Sequence, residues 1–129
     1  MIVGLGIDLV AMPRIERLLD RWGDSVVDRL LTAREKELMP GGEMAKLRRV
    51  EYVAGRVAAK EAVSKALGVP RGIHWHCAEV LPARPDPPKM ELYEVARERA
   101  QALGVTRVFL TLTHDGGMAA AVVILEKAT

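Results

Sequence analysis

The segment VAGRVAAKEAVSKALG at residues 53–68 organises the rest of this chain. Most of its residues are Ala, Lys, Glu, Arg or Leu, which favour helices, and no proline interrupts it. We expect the helix to begin among residues 45–50, after the Pro40-Gly41-Gly42 break, and to end at Gly68, with Pro70 just beyond as a stop signal. The other predicted elements are expected to be arranged around it.

The two sides of this helix differ in residue size and charge. At about 100° per residue, one side collects small residues that leave room for a neighbouring backbone; these are Gly55, Ala58, Ala59, Ala62 and Ala66. The other side collects cations, a carboxylate and a hydroxyl; these are Arg56, Lys60, Glu61, Ser64 and Lys65. Such a polar side is either a solvated surface with ion pairs or a phosphate site whose carboxylate holds a divalent metal, and the helix alone leaves both open.

Residues Ile2–Val10, with the sequence IVGLGIDLV, are typical of a buried strand. Alternation places Gly4, Gly6 and Asp8 on one face and apolar side chains on the other. The two glycines leave space for a close neighbour, and the small side of the long helix is a candidate. A carboxylate in an apolar strand is costly unless it is satisfied, so Asp8 is a metal ligand, an ion-pair partner or a residue at the solvated strand end.

The remaining segments predict short helices and strands. Helices are expected at Pro13–Trp22, Asp24–Leu31, Thr32–Leu38 (with a capping box of Thr32 and Glu35) and Glu94–Leu103. Strands are expected at Ile73–Leu81, Met90–Leu92, Arg107–His114 and Met118–Glu126. Asp115-Gly116-Gly117 indicates a hairpin turn, and the proline-rich residues Pro82–Lys89 indicate an irregular connection. The last strand is apolar enough to be central in a sheet or at an interface.

The composition fits one globular domain over residues 1–129, because half of the residues are hydrophobic. A net charge of +2 suits a phosphate ligand or an acidic partner and is too small to indicate a nucleic-acid groove. The only cysteine, Cys77, permits no internal disulfide and favours a reducing compartment. We expect a cytoplasmic protein, since neither a membrane-spanning apolar run nor a secretory leader is found.

Two further groups of residues are candidates for binding. Arg14, Arg17 and Arg21 recur on one side of the first predicted helix and form either solvated surface or a docking stripe for an acidic protein. His114 ends a predicted strand at a turn, where ligand-contacting groups are frequent, although a histidine without a role is equally compatible. The spacing of a structural zinc site is absent from a third group, His74, His76 and Cys77.

Asp8 and Glu61 are the two carboxylates that these patterns single out. Two such oxygen ligands, together with phosphate oxygens and water, make an octahedral Mg²⁺ site, and the nearby cations would cover the remaining phosphate charge. Chemistry at such a site is usually attack on phosphorus. The residues therefore predict a magnesium-dependent transferase or hydrolase of a phosphate or pyrophosphate, in a chain without a Walker A loop or GxGxxG motif.

Four motifs together resemble the bacterial holo-acyl-carrier-protein synthases, the small stand-alone type of 4′-phosphopantetheinyl transferase. They are GLGIDLVAMPRIERL at 4–18, RVAAKEAVSKALG at 56–68, GIHWHCAEV at 72–80 and LTLTHDGGMAAAVVI at 110–124. This family transfers the phosphopantetheine arm of coenzyme A to a serine of apo-acyl carrier protein, in fatty acid biosynthesis, and releases adenosine 3′,5′-bisphosphate. The resemblance implies an α+β fold, with a small antiparallel sheet on one long helix, and a homotrimer with three active sites between neighbouring subunits.

The resemblance also implies roles for individual residues. Asp8 and Glu61 match the family's magnesium ligands, and Lys65 matches a lysine that stabilises phosphate charge in the transition state. The family's contacts to coenzyme A fall on Arg56, Lys60, Ser64, Lys65 and His114. The helix that docks the acidic carrier protein carries Arg14, Arg17 and Arg21. The carrier serine is expected to attack the β-phosphorus in line, and Glu61, Asp8 or a metal-bound water is open as the group that takes its proton.

The chain also departs from the family pattern, for example at Glu94, which stands where a glycine is usual. Competing functions are a non-catalytic basic module that binds nucleic acid, a magnesium-dependent pyrophosphate hydrolase, and a trimeric structural subunit with a dead site. The first leaves Asp8 unexplained, because a carboxylate beside phosphates needs a metal. The second predicts that coenzyme A is consumed without a carrier protein. Intact Asp8, Glu61 and Lys65 argue against the third.

Overall fold

The long helix predicted from residues 53–68 is the centre of the computed structural model, which describes residues 1–69 and 71–129. This helix, α4, spans Lys46–Ala66, so that its start lies in the predicted range. Gly68 follows the last turn with a φ of 71°, a left-handed conformation that glycine adopts without strain. The stop signal assigned to Pro70 lies outside the described residues.

Strands and shorter helices surround α4 in an α+β arrangement. The strands are β1 (Ile2–Ala11), β2 (Ala78–Ala83), β3 (Asp86–Leu92), β4 (Val105–Asp115) and β5 (Met118–Lys127). The other helices are α1 (Met12–Trp22), α2 (Asp24–Leu30), α3 (Ala33–Glu37) and α5 (Glu94–Ala102). The predicted capping box of Thr32 and Glu35 opens α3. The predicted fold class, a small antiparallel sheet packed on one long helix and shorter helices, is confirmed.

The main sheet has the antiparallel order β1-β5-β4, with the apolar last strand in its centre as predicted. Asp115 and Met118 pair across the β4–β5 hairpin, which leaves a two-residue turn. The two turn residues, Gly116 and Gly117, have φ values of 57° and 78°. Two successive positive φ values are what a tight hairpin turn requires, so the predicted turn is confirmed.

The close approach of β1 to α4 depends on two glycines. A Cβ on Gly6 would overlap the backbone carbonyl of Ala62, and a Cβ on Gly4 would overlap that of Ala66. The glycine face of β1 therefore lies directly on the small side of α4, as predicted. Because Asp8 is on the same face of the strand, this contact also brings its carboxylate to α4.

The opposite face of the main sheet is apolar and exposed. Leu5, Ile7 and Leu9 on β1 are 65%, 60% and 62% exposed. They stand opposite further apolar residues of β5, namely Ile124, Val122 and Ala120. The prediction that β1 is a buried strand is wrong for this face in the single chain, because the strand's buried face carries the glycines.

The segment between α4 and α5 differs from the sequence prediction. A 3₁₀ turn at Trp75–Cys77 precedes β2, so Ile73–Leu81 is not a single strand. The turn is stabilised by the ring of His74, which accepts a hydrogen bond from the backbone N–H of His76 at 3.1 Å. Most of the predicted irregular connection Pro82–Lys89 belongs to the β2–β3 hairpin. Prolines are tolerated there because both strands of a two-stranded sheet have a free edge.

The start of α5 carries one departure from the family pattern, Glu94 in the place of a glycine. Glu94 has a φ of 49°, a left-handed conformation that favours glycine. A glycine at this position would adopt it without the steric cost of a Cβ.

None of the helices in the described residues is both long and apolar enough to cross a membrane.

Candidate active site

The polar side of α4 contains a buried ion pair. Lys60 is 2% exposed, and its Nζ donates to Glu35 Oε1 at 2.6 Å and to the carbonyls of Leu30 and Trp75, both at 2.8 Å. Burial lowers the pKa of Lys60, and the Glu35 carboxylate opposes this shift. All three ammonium hydrogens have protein acceptors, so none is left for a ligand, and the contact between Lys60 and coenzyme A stays a prediction. The alternative of a solvated surface is wrong here.

Next to this ion pair, α4 lines the pocket that we call the α4 pocket. Glu61, Lys65 and Arg71 supply its charged groups, and Ile73 and Trp75 supply apolar wall. The remaining lining residues are Lys60, Ser64, Gly68, Val69 and Gly72. A pocket with two exposed cations around one carboxylate suits a polyanionic ligand that also carries a divalent metal.

Asp8 reaches the edge of this pocket through Lys65. The Lys65 Nζ donates to Asp8 Oδ1 and to the backbone carbonyl of Ile7, each at 3.0 Å. The Asp8 side chain is 16% exposed, whereas that of Lys65 is 57% exposed. Within residues 1–69 and 71–129, Glu61 forms no ion pair. Of the three residues predicted to be catalytic, Asp8 and Lys65 are therefore in direct contact, and Glu61 lies with Lys65 in the α4 pocket.

The donor set fits Mg²⁺ better than a transition metal. In the part of the chain that the structure describes, no three His, Cys, Asp or Glu side chains form a complete metal site. Mg²⁺ is commonly held by one or two carboxylates, with water and substrate phosphates completing the octahedron. Asp8 and Glu61 are hard oxygen ligands of this kind, and Lys65, the partner of Asp8, is exposed and flexible enough to release it.

Ser64, in the last turn of α4, and Arg71, beyond the end of that helix, both line the α4 pocket. The Ser64 hydroxyl is buried and donates to the carbonyl of Val69 at 3.1 Å, which uses its only hydrogen. This hydrogen bond joins the end of α4 to Val69. Arg71 is an exposed cation of the pocket that the sequence reasoning missed. The only signal for it was its position directly after the predicted stop of the long helix.

Two other predicted coenzyme A contacts, Arg56 and His114, lie elsewhere. They share a small depression between α4 and β4, which also includes Glu51, Gly55, Leu112, Thr113 and Ala119. The Arg56 guanidinium lies over the ring of Tyr52, 3.8 Å from its centroid, and burial lowers the pKa of Arg56. His114 Nε2 is 3.7 Å from Glu51 Oε2. Within one chain, the predicted phosphate contacts are thus divided between the α4 pocket and this second depression.

A mostly apolar groove lies between α1 and α2; we call it the α1–α2 groove. Its charged groups are Arg14 and Arg29, and its other lining residues are Leu18, Trp22, Ser25, Val26, Leu30 and Trp75. Trp22 is 53% exposed, and the Arg21 guanidinium lies over its ring. Of the predicted docking arginines only Arg14 lines the groove, while Arg17 and Arg21 are exposed beside it.

Comparison with known proteins identifies the family. The model of the 4′-phosphopantetheinyl transferase superfamily matches residues 4–123. A holo-[acyl-carrier-protein] synthase of Maridesulfovibrio salexigens is 41% identical over 129 residues, which cover 98% of this chain and 100% of the relative. The synthase of Salinispora arenicola is 40% identical over 127 residues, with 98% and 100% coverage.

Solved structures agree with these relatives. The holo-[acyl-carrier-protein] synthase of Neisseria meningitidis superposes with a TM-score of 0.83 at 30% identity, covering 98% of this chain and 100% of that one. A synthase of Bacillus anthracis, solved in complex with CoA (3′,5′-ADP), gives a TM-score of 0.75 at 32% identity, with 99% of each chain covered. With its fold, its motifs and these full-length relatives, the chain belongs to the holo-[acyl-carrier-protein] synthases of the 4′-phosphopantetheinyl transferase superfamily.

Proposed function

We propose that this chain, as a single domain of residues 1–129, transfers the 4′-phosphopantetheine arm of coenzyme A to a serine of apo-acyl carrier protein. The products are the holo-carrier and adenosine 3′,5′-bisphosphate. The observation that carries the proposal is that Lys65 lines one pocket with Glu61 and pairs with Asp8, in a chain whose full-length relatives are holo-[acyl-carrier-protein] synthases. Fatty acid biosynthesis is the process that this activity would serve.

Asp8 and Glu61 are the residues that would hold Mg²⁺ at the α4 pocket. The metal supplies charge neutralisation of the pyrophosphate when it is bound. Lys65 lies beside Asp8 and would turn from it towards the phosphate oxygens, where an ammonium stabilises charge that develops as the phosphoanhydride bond breaks. Arg71, rather than Lys60, would contact the phosphates, because Arg71 is exposed at the pocket and Lys60 is buried. Glu61 and Asp8 both remain candidates for accepting the serine proton.

A homotrimer would unite the divided site. Arg56 and His114 lie in a depression separate from the α4 pocket. An active site between neighbouring subunits would let one subunit contribute Asp8, Glu61 and Lys65 and the next contribute Arg56 and His114. The exposed apolar face of the main sheet supports this assembly, since an apolar surface of this kind is typical of an interface.

The α1–α2 groove is the proposed docking surface for the carrier protein. Arg14 and Arg29 lie at an otherwise apolar groove, and Arg17 and Arg21 are exposed beside it. An apolar centre with cations around it suits an acidic partner that also presents apolar side chains.

The cytoplasmic location stays part of the proposed function and rests on the lone cysteine rather than on the fold.

Family membership favours the transferase over the alternatives. A nucleic-acid-binding module would use its arginines on phosphates and would have no use for the carboxylates at the α4 pocket. A pyrophosphate hydrolase would need the same carboxylates but no docking groove for a protein. Neither is a function named for the relatives of this chain.

Intact mass spectrometry of an apo-acyl carrier protein tests the proposal directly. The carrier is incubated with this protein, coenzyme A and Mg²⁺, with an EDTA-treated sample as the control. We expect the carrier to gain one phosphopantetheine arm, and we expect no gain with EDTA. Loss of coenzyme A with an unmodified carrier would support the hydrolase instead. A gain that persists in EDTA would contradict the metal assignment but not the transfer.

A further inference from the structure

Trp75 is a wall of both binding surfaces. It lines the α4 pocket beside Glu61 and Ile73, and it lines the α1–α2 groove beside Leu30. In the described part of the chain, no other residue is shared by these two surfaces. The indole therefore stands where the coenzyme A pocket and the carrier groove adjoin.

Lys60 fixes the backbone of Trp75 through a hydrogen bond to its carbonyl. The Lys60 Nζ donates to the Trp75 carbonyl and to the Leu30 carbonyl, both at 2.8 Å. Lys60 itself lines the α4 pocket, and Leu30 lines the groove. The buried Lys60 ammonium thus links the α4 pocket, which Lys60 lines, to Leu30 in the α1–α2 groove and to Trp75, which lines both.

Glu35 fixes the position of this ammonium. It is fully buried, and its carboxylate accepts from Lys60 Nζ at 2.6 Å and from the backbone N–H groups of Thr32 and Val80, each at 2.9 Å. These two backbone donors lie at the start of α3 and in β2, so the carboxylate cannot follow Lys60 if the lysine moves. Removal of one partner would leave a buried charge unpaired, which makes the geometry strongly preferred.

We propose that Trp75 is a positioning residue of the transfer reaction. The Glu35–Lys60 pair fixes Trp75 between the two surfaces, at the place where the phosphopantetheine arm meets the carrier serine. This inference rests on the proposed function. The reaction requires the β-phosphorus in one surface and the serine in the other to be aligned, and a residue in contact with both surfaces sets their separation. An indole suits this place, because it combines a large rigid apolar face with one N–H donor.

Fluorescence tests whether Trp75 senses both substrates. The chain has two tryptophans, Trp22 and Trp75, so Trp22→Phe leaves Trp75 as the only indole. We expect its emission to change on addition of coenzyme A alone and on addition of apo-acyl carrier protein alone. In Trp75→Phe the remaining Trp22, which lines only the groove, should respond to the carrier and not to coenzyme A. An emission from Trp75 that responds to one substrate or to neither would overturn the proposal.

Kinetics separate positioning from mere structural support. We expect Trp75→Ala to lower kcat by about 10-fold or more, since a misplaced reacting group costs up to about 100-fold. Trp75→Phe, which keeps an aromatic wall, should recover most of that loss. A purely structural role would lower the melting temperature and the active fraction but leave kcat per folded enzyme and both KM values unchanged, and this result would overturn the proposal.

Two further variants test the support beneath Trp75. Glu35→Gln and Lys60→Met each break the buried pair, and the folded fraction of each should show the same fall in kcat as Trp75→Ala. Because these core variants are at risk of not folding, the comparison of Trp75→Ala with Trp75→Phe is the decisive test. Failure of wild-type protein to modify any carrier would refute the proposed function itself, whereas active wild type with an unaffected Trp75→Ala would refute only the positioning role.

Discussion

Lys65 on α4 and Asp8 on β1 form an ion pair across the edge of the α4 pocket, with 3.0 Å between Nζ and Oδ1. The lysine is more than half exposed, and ion pairs of this kind contribute only about 0–1 kcal/mol to stability. The fold therefore does not depend on this pair. Lys65 also shares the α4 pocket with Glu61, which forms no ion pair within the described residues. The geometry is better explained by chemistry at the pocket than by stabilisation of the sheet, and substitutions at these positions should report on activity.

Asp8→Asn and Glu61→Gln should each lower kcat by about 100-fold or more while the protein stays folded. Each removes one of the two carboxylates proposed to hold Mg²⁺, and a bound metal contributes several kcal/mol of transition-state stabilisation. The measurement is the rate of carrier modification at saturating Mg²⁺, with circular dichroism to verify the fold. Glu98→Gln, an isosteric change of an exposed carboxylate on α5, is the matched control and should be active. Near-normal turnover in either site variant would remove the metal assignment.

Gly6→Ala should destabilise the protein by about 1–3 kcal/mol, the usual cost of overpacking. The added Cβ would overlap the backbone carbonyl of Ala62, and neither β1 nor α4 can shift without disturbing the sheet. The free energy of unfolding is measured by chemical denaturation. Gly41→Ala is the control, because a Cβ there meets no atom within 4 Å, and its stability should be unchanged or slightly raised. Equal stabilities of the two variants would contradict the close packing of β1 on α4.

The glycine packing was predictable because it depends on residue size and on two simple periods. Alternation in the strand placed Gly4 and Gly6 on one face, and the helical period placed Ala62 and Ala66 on another, so their contact needed no further information. The same periods placed Asp8 on the glycine face and Glu61 on the polar side of the helix. The core of the candidate site was therefore readable from the sequence.

The environment of Lys60 was not predictable in the same way. The helical period put it on the polar side, but Glu35, Leu30 and Trp75, which surround its ammonium, come from three other segments. The same holds for the exposed face of β1, since alternation separates two faces without saying which one a helix covers. Arg71 lies beyond the end of α4, and helical periodicity says nothing about where a residue after the helix is placed.

Stability at low pH should depend on Glu79. Burial by itself would raise the pKa of this carboxyl, but hydrogen bonds from Thr32, Arg34 and Tyr93 outweigh burial and lower the pKa below its usual 4.5. A carboxyl whose pKa is lowered by folding stabilises the protein above its unfolded pKa and loses that contribution as the pH falls through the folded value.

We therefore expect Glu79→Gln to be less stable than wild type at pH 7, by about 1–3 kcal/mol for loss of a buried charged acceptor. The difference should shrink as the pH falls below 4.5, because protonated Glu79 and glutamine are then equivalent in charge. Thermal unfolding across this pH range measures it, with the exposed Glu98→Gln as the reference. A stability difference that stays constant with pH would show that protonation of Glu79 does not change the free energy of unfolding.

Arg14→Glu should raise the KM for the carrier protein by about 10-fold and leave the KM for coenzyme A nearly unchanged. The reversal puts a like charge at the α1–α2 groove opposite an acidic partner, which costs on the order of 1 kcal/mol or more. The effect should weaken at high salt, because exposed charges are screened. Arg97→Glu, the same change on exposed α5, is the control. An unchanged KM for the carrier would exclude Arg14 from the docking surface.

Ile7→Lys should break the proposed homotrimer. Ile7 is 60% exposed in the centre of the apolar sheet face, and a buried lysine without a partner would be costly at a subunit interface. Sedimentation should show wild type at three times the 14.1 kDa of the chain and the variant near one chain mass. Val95→Lys replaces a similarly exposed apolar residue, 58%, on α5 and should remain trimeric and active.

The Ile7→Lys monomer should lose transfer activity, since Arg56 and His114 would no longer meet the α4 pocket of a neighbouring subunit. Wild-type protein that sediments as a fully active single chain would contradict both the trimer and the shared site.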